Sequence, residues 1–464
     1  MTTETRQLQL LNEQLTAENS LLKARITQLE ARIVELEVRL NANSSNSNRP
    51  PSSDGLRKKP AFPKINKGKQ GGQVGHPGKT LKMVAAPDKV VQCIASKCRC
   101  GAELGNSQSR IVERRQVFEL PEPRLSVTEY QVCESVCGNC RRIERGEFPA
   151  QVTAPVQYGT RVKALAVMLN NSYKIPFKKV QGLFSDLYGY ELNQSTVVSA
   201  NAECFEKLEP TEQKIKEQII GSLAAHADET GLRVGGLLHW LHTVSTEEWT
   251  YLFVDKKRGK EALEGEKSLL TRLKNWLVHD CWASYFGFKN VRHALCGAHL
   301  LRELQSVGEM GSHWAFDFQR YLLGVYETEF ESRVENRESI EAEYDRLCEQ
   351  GHESEPEGVK VNAKGRAKKS KGRNLLERLI KHKEAVLAFA FEKEVPFTNN
   401  QAERDIRPVK LKQKISGCFR TIEGADVYAR IEGFVSTARK QGRSVFKELC
   451  RVFEGDSFVT THPT

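Results

Sequence analysis

Residues 222–230 read Ser-Leu-Ala-Ala-His-Ala-Asp-Glu-Thr, and residues 276–280 read Trp-Leu-Val-His-Asp. In each stretch a short apolar run ends at an aspartate, Asp228 in the first and Asp280 in the second. Short apolar runs bounded by polar or turn residues predict buried β-strands. Two strands of one sheet that each end in a carboxylate predict an acidic edge to that sheet.

The chain around these two stretches predicts a mixed sheet. Three consecutive strands come first, at Ser222 to Asp228, Leu232 to Val244 and Trp249 to Val254. A helix follows at Gly259 to Leu273, then a strand that ends at Asp280. A further strand at Val291 to Cys296 and a second helix at Ala298 to Val307 complete the series. This order indicates a ribonuclease-H-like α/β core made of residues 213–311 and 396–450. Residues 312–395 predict a helical insertion, apart from a charged, Gly-rich piece near Gly351 to Gly372.

A third carboxylate, Glu403, lies three residues into a predicted helix after Thr398-Asn399-Asn400. Two carboxylates from strand ends and one from a helix can hold two divalent ions against a phosphodiester. Mg²⁺ is a hard cation that prefers oxygen ligands and is often held by one or two carboxylates plus phosphate. The three acidic residues therefore predict metal-dependent phosphoryl transfer.

Each carboxylate also has a purely structural interpretation. Asp228 is typical of a turn, and Asp280 is a suitable cap for a helix that begins at the next residue. Glu403 fits a capping box with Asn400 as cap, and it can also pair with Arg407 one helical turn later. The sequence leaves both interpretations open for each residue.

The composition is that of a globular protein, and its excess of basic residues indicates a polyanionic partner. Lys and Arg number 70 against 59 Asp and Glu, which gives a net charge of +11, and the mean hydropathy is −0.51. Basic residues concentrate in three clusters, Arg57 to Lys89, Lys360 to Lys383, and Arg404 to Arg420, which favours nucleic acid over ordinary solvated faces. No apolar run approaches the ~20 residues that cross a bilayer, and the N-terminus is polar, so we expect a cytoplasmic protein with no membrane partner.

The N-terminal residues 1–42 predict a coiled coil. Leucine recurs at every seventh position, at Leu8, Leu15, Leu22, Leu29 and Leu36. The a positions are Asn12, Asn19, Ile26, Ile33 and Leu40, a pattern that favours a parallel two-stranded coiled coil. A single amphipathic helix packed on its own chain is the alternative. Residues 43–90 are polar, then basic and Gly-rich, and predict a flexible linker.

Residues 91–150 predict a small Cys-rich module with strands at Val112 to Leu120 and Leu125 to Val136. Paired cysteines flank these strands, Cys98 with Cys100 and Cys137 with Cys140. Two such pairs predict a structural Zn²⁺ site of the zinc-ribbon type, because four thiolates leave no open coordination position. The alternative is a remnant of a site that no longer binds metal.

Residues 151–212 predict helices at Arg161 to Tyr173, Phe177 to Tyr188 and Gln194 to Leu208, with Asn193 as a cap. The last two helices resemble a helix-turn-helix, which makes this segment a candidate for DNA binding. Helix pairs of this kind are also common in plain packing. Residues 451–464 form a tail.

Several motifs resemble those of the DDE transposases of the insertion sequence 66 family. The matching segments are His226-Ala-Asp228-Glu-Thr230, His279-Asp280-Cys-Trp-Ala-Ser-Tyr285, Cys296-Gly-Ala-His299-Leu300, Asn399-Asn400-Gln-Ala-Glu403-Arg404-Asp-Ile-Arg407-Pro408 and Lys412-Gln-Lys-Ile-Ser-Gly-Cys-Phe-Arg420. The zipper, the linker and the cysteine module share the resemblance, which covers nearly the whole chain. Two departures are the CxC spacing of the first cysteine pair, which leaves the exact zinc ligands open, and Thr398 where many members have aspartate.

The resemblance implies an enzyme that cuts double-stranded DNA at element ends and joins the 3′-hydroxyl to a target. Asp228, Asp280 and Glu403 would hold two Mg²⁺ or Mn²⁺ ions. The phosphate backbone would be bound by four residues of one helix, Arg404, Arg407, Lys410 and Lys412. We expect self-association through the coiled coil and a nucleoid-associated location, and the need for accessory proteins stays open. The alternative is a non-enzymatic DNA-binding protein derived from such a transposase.

Overall fold

The computed structural model describes residues 3–41, 43, 46–47, 81–104, 110–357 and 369–458. Most of the predicted linker, part of the basic cluster at 360–383, and the end of the tail lie outside these residues. Within the described residues, none of the helices combines the length and the apolar character that a membrane span requires.

The described N-terminal residues contain a single long helix and, further along the chain, a short pair of strands. Helix α1 spans Thr3–Asn41, and strands β1 (Glu134–Val136) and β2 (Ile143–Arg145) form an antiparallel pair. The predicted helix is confirmed, and the pairing of two such helices stays a prediction. The strands predicted at Val112 to Leu120 and Leu125 to Val136 are wrong except for the last three residues. Their apolar side chains are largely exposed, because no second layer of the described chain covers them.

The next segment is helical, as predicted. It contains α2 (Thr160–Val167), a π-helical turn (Met168–Ser172), α3 (Phe177–Tyr188), α4 (Gln194–Lys207) and α5 (Glu209–Gly221). Helix α3 ends at Gly189, whose φ of +67° is the left-handed conformation that glycine adopts without strain. The side chain of Asn193 caps α4 by accepting the Ser195 N–H at 3.0 Å.

A five-stranded mixed sheet forms the centre of the molecule. Its strands are β3 (Ala224–Val234), β4 (Leu237–Ser245), β5 (Thr250–Asp255), β6 (Trp276–His279) and β7 (Arg292–Leu295), in the order β5-β4-β3-β6-β7. Strands β3, β4 and β5 are antiparallel neighbours, whereas β6 and β7 run parallel to β3. The mixed helix-and-sheet class predicted from the sequence is confirmed.

Helices make up the rest of the chain. They are α6 (Lys260–Leu263), α7 (Gly297–Glu309), α8 (His313–Glu327), α9 (Phe330–Glu335), α10 (Arg337–Ser354), α11 (Lys371–Lys381), α12 (Lys383–Phe391), α13 (Asn400–Ser416), α14 (Ile422–Lys440) and α15 (Val445–Glu454). The helical character predicted for 312–395 is therefore confirmed over the part that is described.

Both faces of the sheet are covered, because successive strand residues point to opposite sides. Leu277 packs in one core with α5, α14 and α15, and its neighbour Val278 packs in another with α7, α8 and α12. The sheet is therefore the middle of three layers.

Two predicted boundaries are wrong. Strand β3 continues past Asp228 to Val234, and the chain turns at Gly235 and Gly236, whose φ values are +56° and +81°. The predicted strand Leu232 to Val244 is therefore split across this turn. The helix predicted from Gly259 to Leu273 is reduced to the four residues of α6, since glycine at position 265 costs helix stability and the chain turns there.

Candidate active site

Strand register places Asp228 and Asp280 at the same level of the sheet. His226 of β3 pairs with Val278 of β6, and each aspartate lies two residues beyond its member of that pair. Asp228 stays within β3 and faces Thr243 of β4, while β6 has already ended at His279. Asp228 therefore lies inside β3, which extends further than its parallel neighbour β6. It is neither at a strand end nor in a turn.

Helix α13 brings Glu403 to the same end of the sheet. Its first turn follows Phe397, whose carbonyl accepts the Gly297 N–H at 2.8 Å at the start of α7. A Cβ on Gly297 would lie 2.3 Å from the Phe397 ring, so this close contact requires glycine. The charges of Asp280 and Glu403 both contribute to raising the pKa of Asp228, so the three predicted residues belong to the same region of the molecule.

Burial and crowding of acidic groups dominate the electrostatics of this end. Burial is the main cause that raises the pKa of Asp228 well above its ordinary value, and the charges of Glu229, Asp280 and Glu403 raise it further. Burial also raises the pKa of Asp280. Among the residues that the structure describes, no basic side chain forms an ion pair with Asp228. A carboxylate so placed favours any process that brings a cation to it.

Backbone amides hold both aspartates. Asp228 accepts the N–H of Glu229 at 2.8 Å, and Asp280 accepts the N–H of Trp282 at 3.0 Å. Asp280 therefore caps a turn, and no long helix begins at residue 281.

Glu403 has basic neighbours and one oxygen without a hydrogen bond. Its Oε2 lies 3.2 Å from Arg407, one turn later on α13, so the predicted helical pair exists. Its Oε1 lies 3.8 Å from Arg302 and 3.9 Å from His299, both on α7. At those distances Oε1 and His299 Nδ1 are buried without a hydrogen-bond partner in the described chain. Burial lowers the pKa of His299 to about 4, so its ring is neutral at pH 7.

A cavity of about 250 Å³ opens beside Asp280. Its lining mixes cationic, acidic and apolar side chains, among them Arg258, Trp282, His299 and Arg378. The guanidinium of Arg258 lies over the Trp282 ring, 4.4 Å from its centroid, so a positive charge is held at the cavity wall.

Glu229 orients Arg258. Its carboxylate accepts a hydrogen bond from Arg258 Nε at 2.8 Å and another from the Tyr285 hydroxyl at 2.5 Å. Sequence reasoning missed Glu229, Arg258, Arg302 and Tyr285 as residues of this site. The position of Glu229 next to Asp228 is the one sequence signal that could have singled it out. No sequence signal marks Arg258.

The donor set suits a hard divalent cation, but the side chains are not gathered around a single point. In the described parts of the chain, no group of three or more His, Cys, Asp or Glu side chains is close enough to hold a metal ion. Carboxylate oxygens are nevertheless the ligands that Mg²⁺ and Mn²⁺ prefer. Glu403 Oε1 is buried without a hydrogen bond, and no basic side chain of the described residues pairs with the buried Asp228. A divalent cation would compensate both groups.

The four predicted DNA-binding residues of α13 do not share one surface. Arg404, Arg407 and Lys410 are exposed, and the Lys410 ammonium also donates to the Gly231 carbonyl. Lys412 is buried, and its ammonium donates to the Asn170 carbonyl at 3.2 Å. Burial lowers the pKa of Lys412 to about 8. The structure thus places three of the four where a phosphate could reach them.

Each cysteine pair of residues 91–150 lies on a tight turn. The Cys98 N–H donates to the Ala102 carbonyl and the Cys137 N–H donates to the Arg142 carbonyl, both at 2.8 Å. Hydrogen bonds from nearby backbone amides lower the pKa of the Cys100 and Cys137 thiols. Lowered thiol pKa values favour the thiolate that binds metal. Because the two turns do not form a four-thiol group in the described chain, zinc stays a prediction.

A mixed sheet between helical layers, with acidic residues at one end, defines the chain as an α+β protein. The model of the family described as Transposase IS66 family matches residues 155–427. The chain therefore belongs to the IS66 transposase family, as the sequence motifs indicated. Residues 2–82 match a family of unknown function (DUF6444).

One curated relative comes from Sinorhizobium fredii (strain NBRC 101917 / NGR234). The chain is similar to its "Uncharacterized protein y4jD", with 23% identity over 349 residues. The match covers 68% of this chain and 66% of the relative. That printed name assigns no activity to the relative.

Proposed function

We propose that this protein is a DNA transposase that cleaves strands at the ends of an insertion element and transfers them to a target by metal-dependent phosphoryl transfer. The observation that supports the proposal is the location of Asp228, Asp280 and Glu403 in one region of the sheet, where the charges of Asp280 and Glu403 act on the buried Asp228. Membership of a transposase family supports the same reaction. The strand order, with β3 between an antiparallel hairpin and two parallel strands, supports a ribonuclease-H-like core.

Asp228, Asp280 and Glu403 would hold the divalent ions through their carboxylate oxygens. When bound, such ions polarise the phosphodiester and stabilise charge on the attacking and leaving oxygens. The neutral His299 and the cationic Arg302 lie beside Glu403 and limit the side-chain orientations open to it. Arg258 presents a fixed positive charge near Asp280, where a non-bridging phosphate oxygen would gain from it.

DNA binding would use the exposed basic face of α13. Arg404, Arg407 and Lys410 follow Glu403 within two helical turns, and all three are exposed. Contacts of this kind orient the duplex without reading its sequence. The helix pair α3–α4 is our candidate for recognition of the element ends.

A non-enzymatic DNA-binding protein is the second candidate. The exposed basic side chains of α13 and the helix pair α3–α4 support it, because they suit DNA binding whether or not strands are cut. A domesticated relative would keep the basic surfaces and the helical segment without cleaving DNA.

A strand-cleavage assay separates the two candidates. The parent chain, Asp228→Asn and Glu403→Gln are incubated with DNA carrying the element ends and Mg²⁺, Mn²⁺ or EDTA. We expect cleavage by the parent only with a divalent ion, and a loss of roughly 10³-fold or more in each variant, the scale on which members of a catalytic unit act.

Glu394→Gln is the matched control, because Glu394 is an exposed carboxylate five residues before Asn399. It should cleave like the parent. Cleavage by Asp228→Asn at the parental rate would overturn the assignment of the site. Binding of element-end DNA without cleavage under any metal condition would favour the second candidate.

A further inference from the structure

Asn399 is buried directly between β3 and α13, with 1% of its surface exposed. Its side-chain nitrogen donates to the Ala227 carbonyl at 2.8 Å, and its side-chain oxygen lies 2.8 Å from Nδ1 of His226. Both partners belong to β3 and immediately precede Asp228. One amide therefore connects the residue before helix α13 to the strand that carries the first carboxylate.

The proton positions in this contact follow from the chemistry of the groups. A backbone carbonyl only accepts, so the Asn399 nitrogen must face Ala227. The amide oxygen also only accepts, so the proton between Asn399 and His226 lies on His226 Nδ1. Both polar atoms of the Asn399 side chain are therefore bonded to β3: the Ala227 carbonyl fixes which way the amide points, and the tautomer of His226 follows from it.

The backbone of Asn399 completes the connection. Its N–H donates to Cys296 Sγ at 3.1 Å, and its carbonyl accepts the Glu403 N–H at 3.3 Å. Cys296 immediately precedes α7, which supplies the two side chains nearest Glu403 Oε1. Asn399 thus bonds to β3, to the residue before α7, and to the first turn of α13.

Asparagine before a helix normally caps it, by accepting an N–H of the first turn through its side chain. The Asn399 side chain makes no such bond to α13. Its side-chain amide bonds to β3 and therefore does not cap α13. A role in helix stability alone does not account for that choice.

We propose that Asn399, whose amide bonds to both Ala227 and His226, is a positioning residue that fixes the start of α13, and with it Glu403, relative to the strand that carries Asp228, for metal binding and catalysis. The inference rests on the proposed function. Residues that orient metal ligands in this way commonly change metal affinity or activity by about 10- to 100-fold when removed. The effect should fall on metal affinity and kcat, and leave DNA affinity unchanged.

The test uses the full-length chain and four variants. Asn399→Ala removes the contact from one side, and His226→Leu removes it from the other by replacing the imidazole with an apolar side chain. His226→Asn is the conservative variant, because its side-chain nitrogen can occupy the place of Nδ1. Asn400→Ala is the control, since Asn400 is the exposed neighbour. Mn²⁺ binding is measured by titration calorimetry, cleavage by kcat and KM for element-end DNA, and folding by circular dichroism and thermal melting.

We expect Asn399→Ala and His226→Leu to weaken Mn²⁺ binding at least about 10-fold and to lower kcat with KM unchanged. His226→Asn should recover most of both losses, and Asn400→Ala should match the parent. Amide hydrogen exchange should rise in residues 400–407 of Asn399→Ala and stay unchanged in α14.

Parental Mn²⁺ affinity and kcat in a folded Asn399→Ala protein would overturn the inference and leave the proposed function intact. The same holds if hydrogen exchange rises while affinity and kcat do not change, because Asn399 would then be structural only. Absence of Mn²⁺ binding by the parent, with no change on Asp228→Asn, contradicts the proposed function itself, and the positioning role falls with it.

Discussion

At the scale of a single residue, the buried carboxylate of Asp228 lowers the stability of the folded protein at neutral pH. Its carboxylate is buried beside Glu229, with Asp280 and Glu403 near, and these causes together raise its pKa. A folded protein with a raised carboxyl pKa binds the proton more tightly than the unfolded chain does. Stability is therefore lost as pH rises from the ordinary value of 3.8 through the folded-state pKa. Above that range the penalty is fully present.

Asp228→Asn should consequently stabilise the metal-free protein while abolishing cleavage. We expect a gain on the order of 1 kcal/mol at pH 7.5, the usual size of such stabilising changes at functional sites. The gain should shrink as pH falls toward 4, because the parent carboxyl is then protonated and uncharged. Thermal melting in EDTA across this pH range measures it.

Adding Mg²⁺ supplies the internal control for that measurement. The parent should melt at a higher temperature with Mg²⁺ than with EDTA, because a ligand that binds only the folded state stabilises it. Asp228→Asn should lose most of this increase. An Asp228→Asn protein that is less stable than the parent in EDTA would contradict the electrostatic argument.

Sequence reasoning singled out the three carboxylates as candidates because each is marked locally, by an apolar run or by a motif. It could not find the contact of Asn399 with His226, since the two residues are far apart in the chain and meet only after the sheet and α13 have packed. Arg258 was missed for the same reason. Its place depends on Glu229 and on an aromatic ring of Trp282, neither of which a pattern of charges reveals.

At the scale of elements, α13 presents two chemically different faces. Arg404 and Arg407 are exposed, whereas Lys412 is buried against the helical segment through the Asn170 carbonyl. A periodic run of basic residues predicted one DNA-binding surface. The helical period instead turns Lys412 inward, which composition could not reveal.

Salt dependence of DNA binding should distinguish these faces. A lysine or arginine that neutralises one phosphate contributes about 1 to the slope of log K against log salt. We expect Arg404→Gln to reduce that slope by about 1, and Lys412→Met to leave it unchanged. Fluorescence anisotropy with element-end DNA at several salt concentrations measures the slope. A reduced slope for Lys412→Met in a folded protein would place Lys412 on the DNA surface after all.

A buried ion pair joins the helical segment to α14. Lys174 Nζ lies 2.5 Å from Glu432 Oε2, and the two side chains are only 3% and 2% exposed. Burial lowers the pKa of Lys174 and raises that of Glu432 more than their mutual attraction opposes these shifts. Such a pair adds little net stability, but removing one partner leaves a buried charge without compensation.

Glu432→Gln should therefore destabilise the protein by about 3–5 kcal/mol. Lys174→Met should cost a similar amount, and the double variant should recover more than half of the loss, because no unpaired charge remains. Urea denaturation of the three variants measures the midpoints. Simple additivity of the two single losses would show that the residues do not act as a pair.

At the scale of the whole molecule, the sequence predicted the regions that carry their own hydrophobic period. The helices of 160–208 and the strands β6 and β7 fall where the pattern placed them. The strand predicted at Val112 to Leu120 is wrong, because this segment has the composition of a strand without a neighbour to pair with. A strand requires a partner as well as a composition, and the single described chain supplies none there.

Helix α1 raises the same question of a missing partner, and here the chemistry indicates a second copy. Leucines of its heptad positions are half exposed; they are Leu15, Leu22, Leu29 and Leu36, at 50%, 52%, 50% and 43%. A stripe confined to a and d positions is the narrow seam of a coiled coil. Two DNA ends handled together would need two subunits, so pairing through α1 agrees with the proposed function.

Introducing positive charges into this seam tests the pairing. We expect the parent chain to be a dimer or larger by light scattering, and the double variant Leu22→Lys with Leu29→Lys to be smaller, because two pairs of lysines would face each other in place of leucine. Ala17→Lys with Ser20→Lys is the matched control, since these exposed residues occupy the f and b positions outside the seam. A control that dissociates equally would indicate a general charge effect. A Leu22→Lys and Leu29→Lys protein that stays associated would move the subunit contact from α1 to another surface.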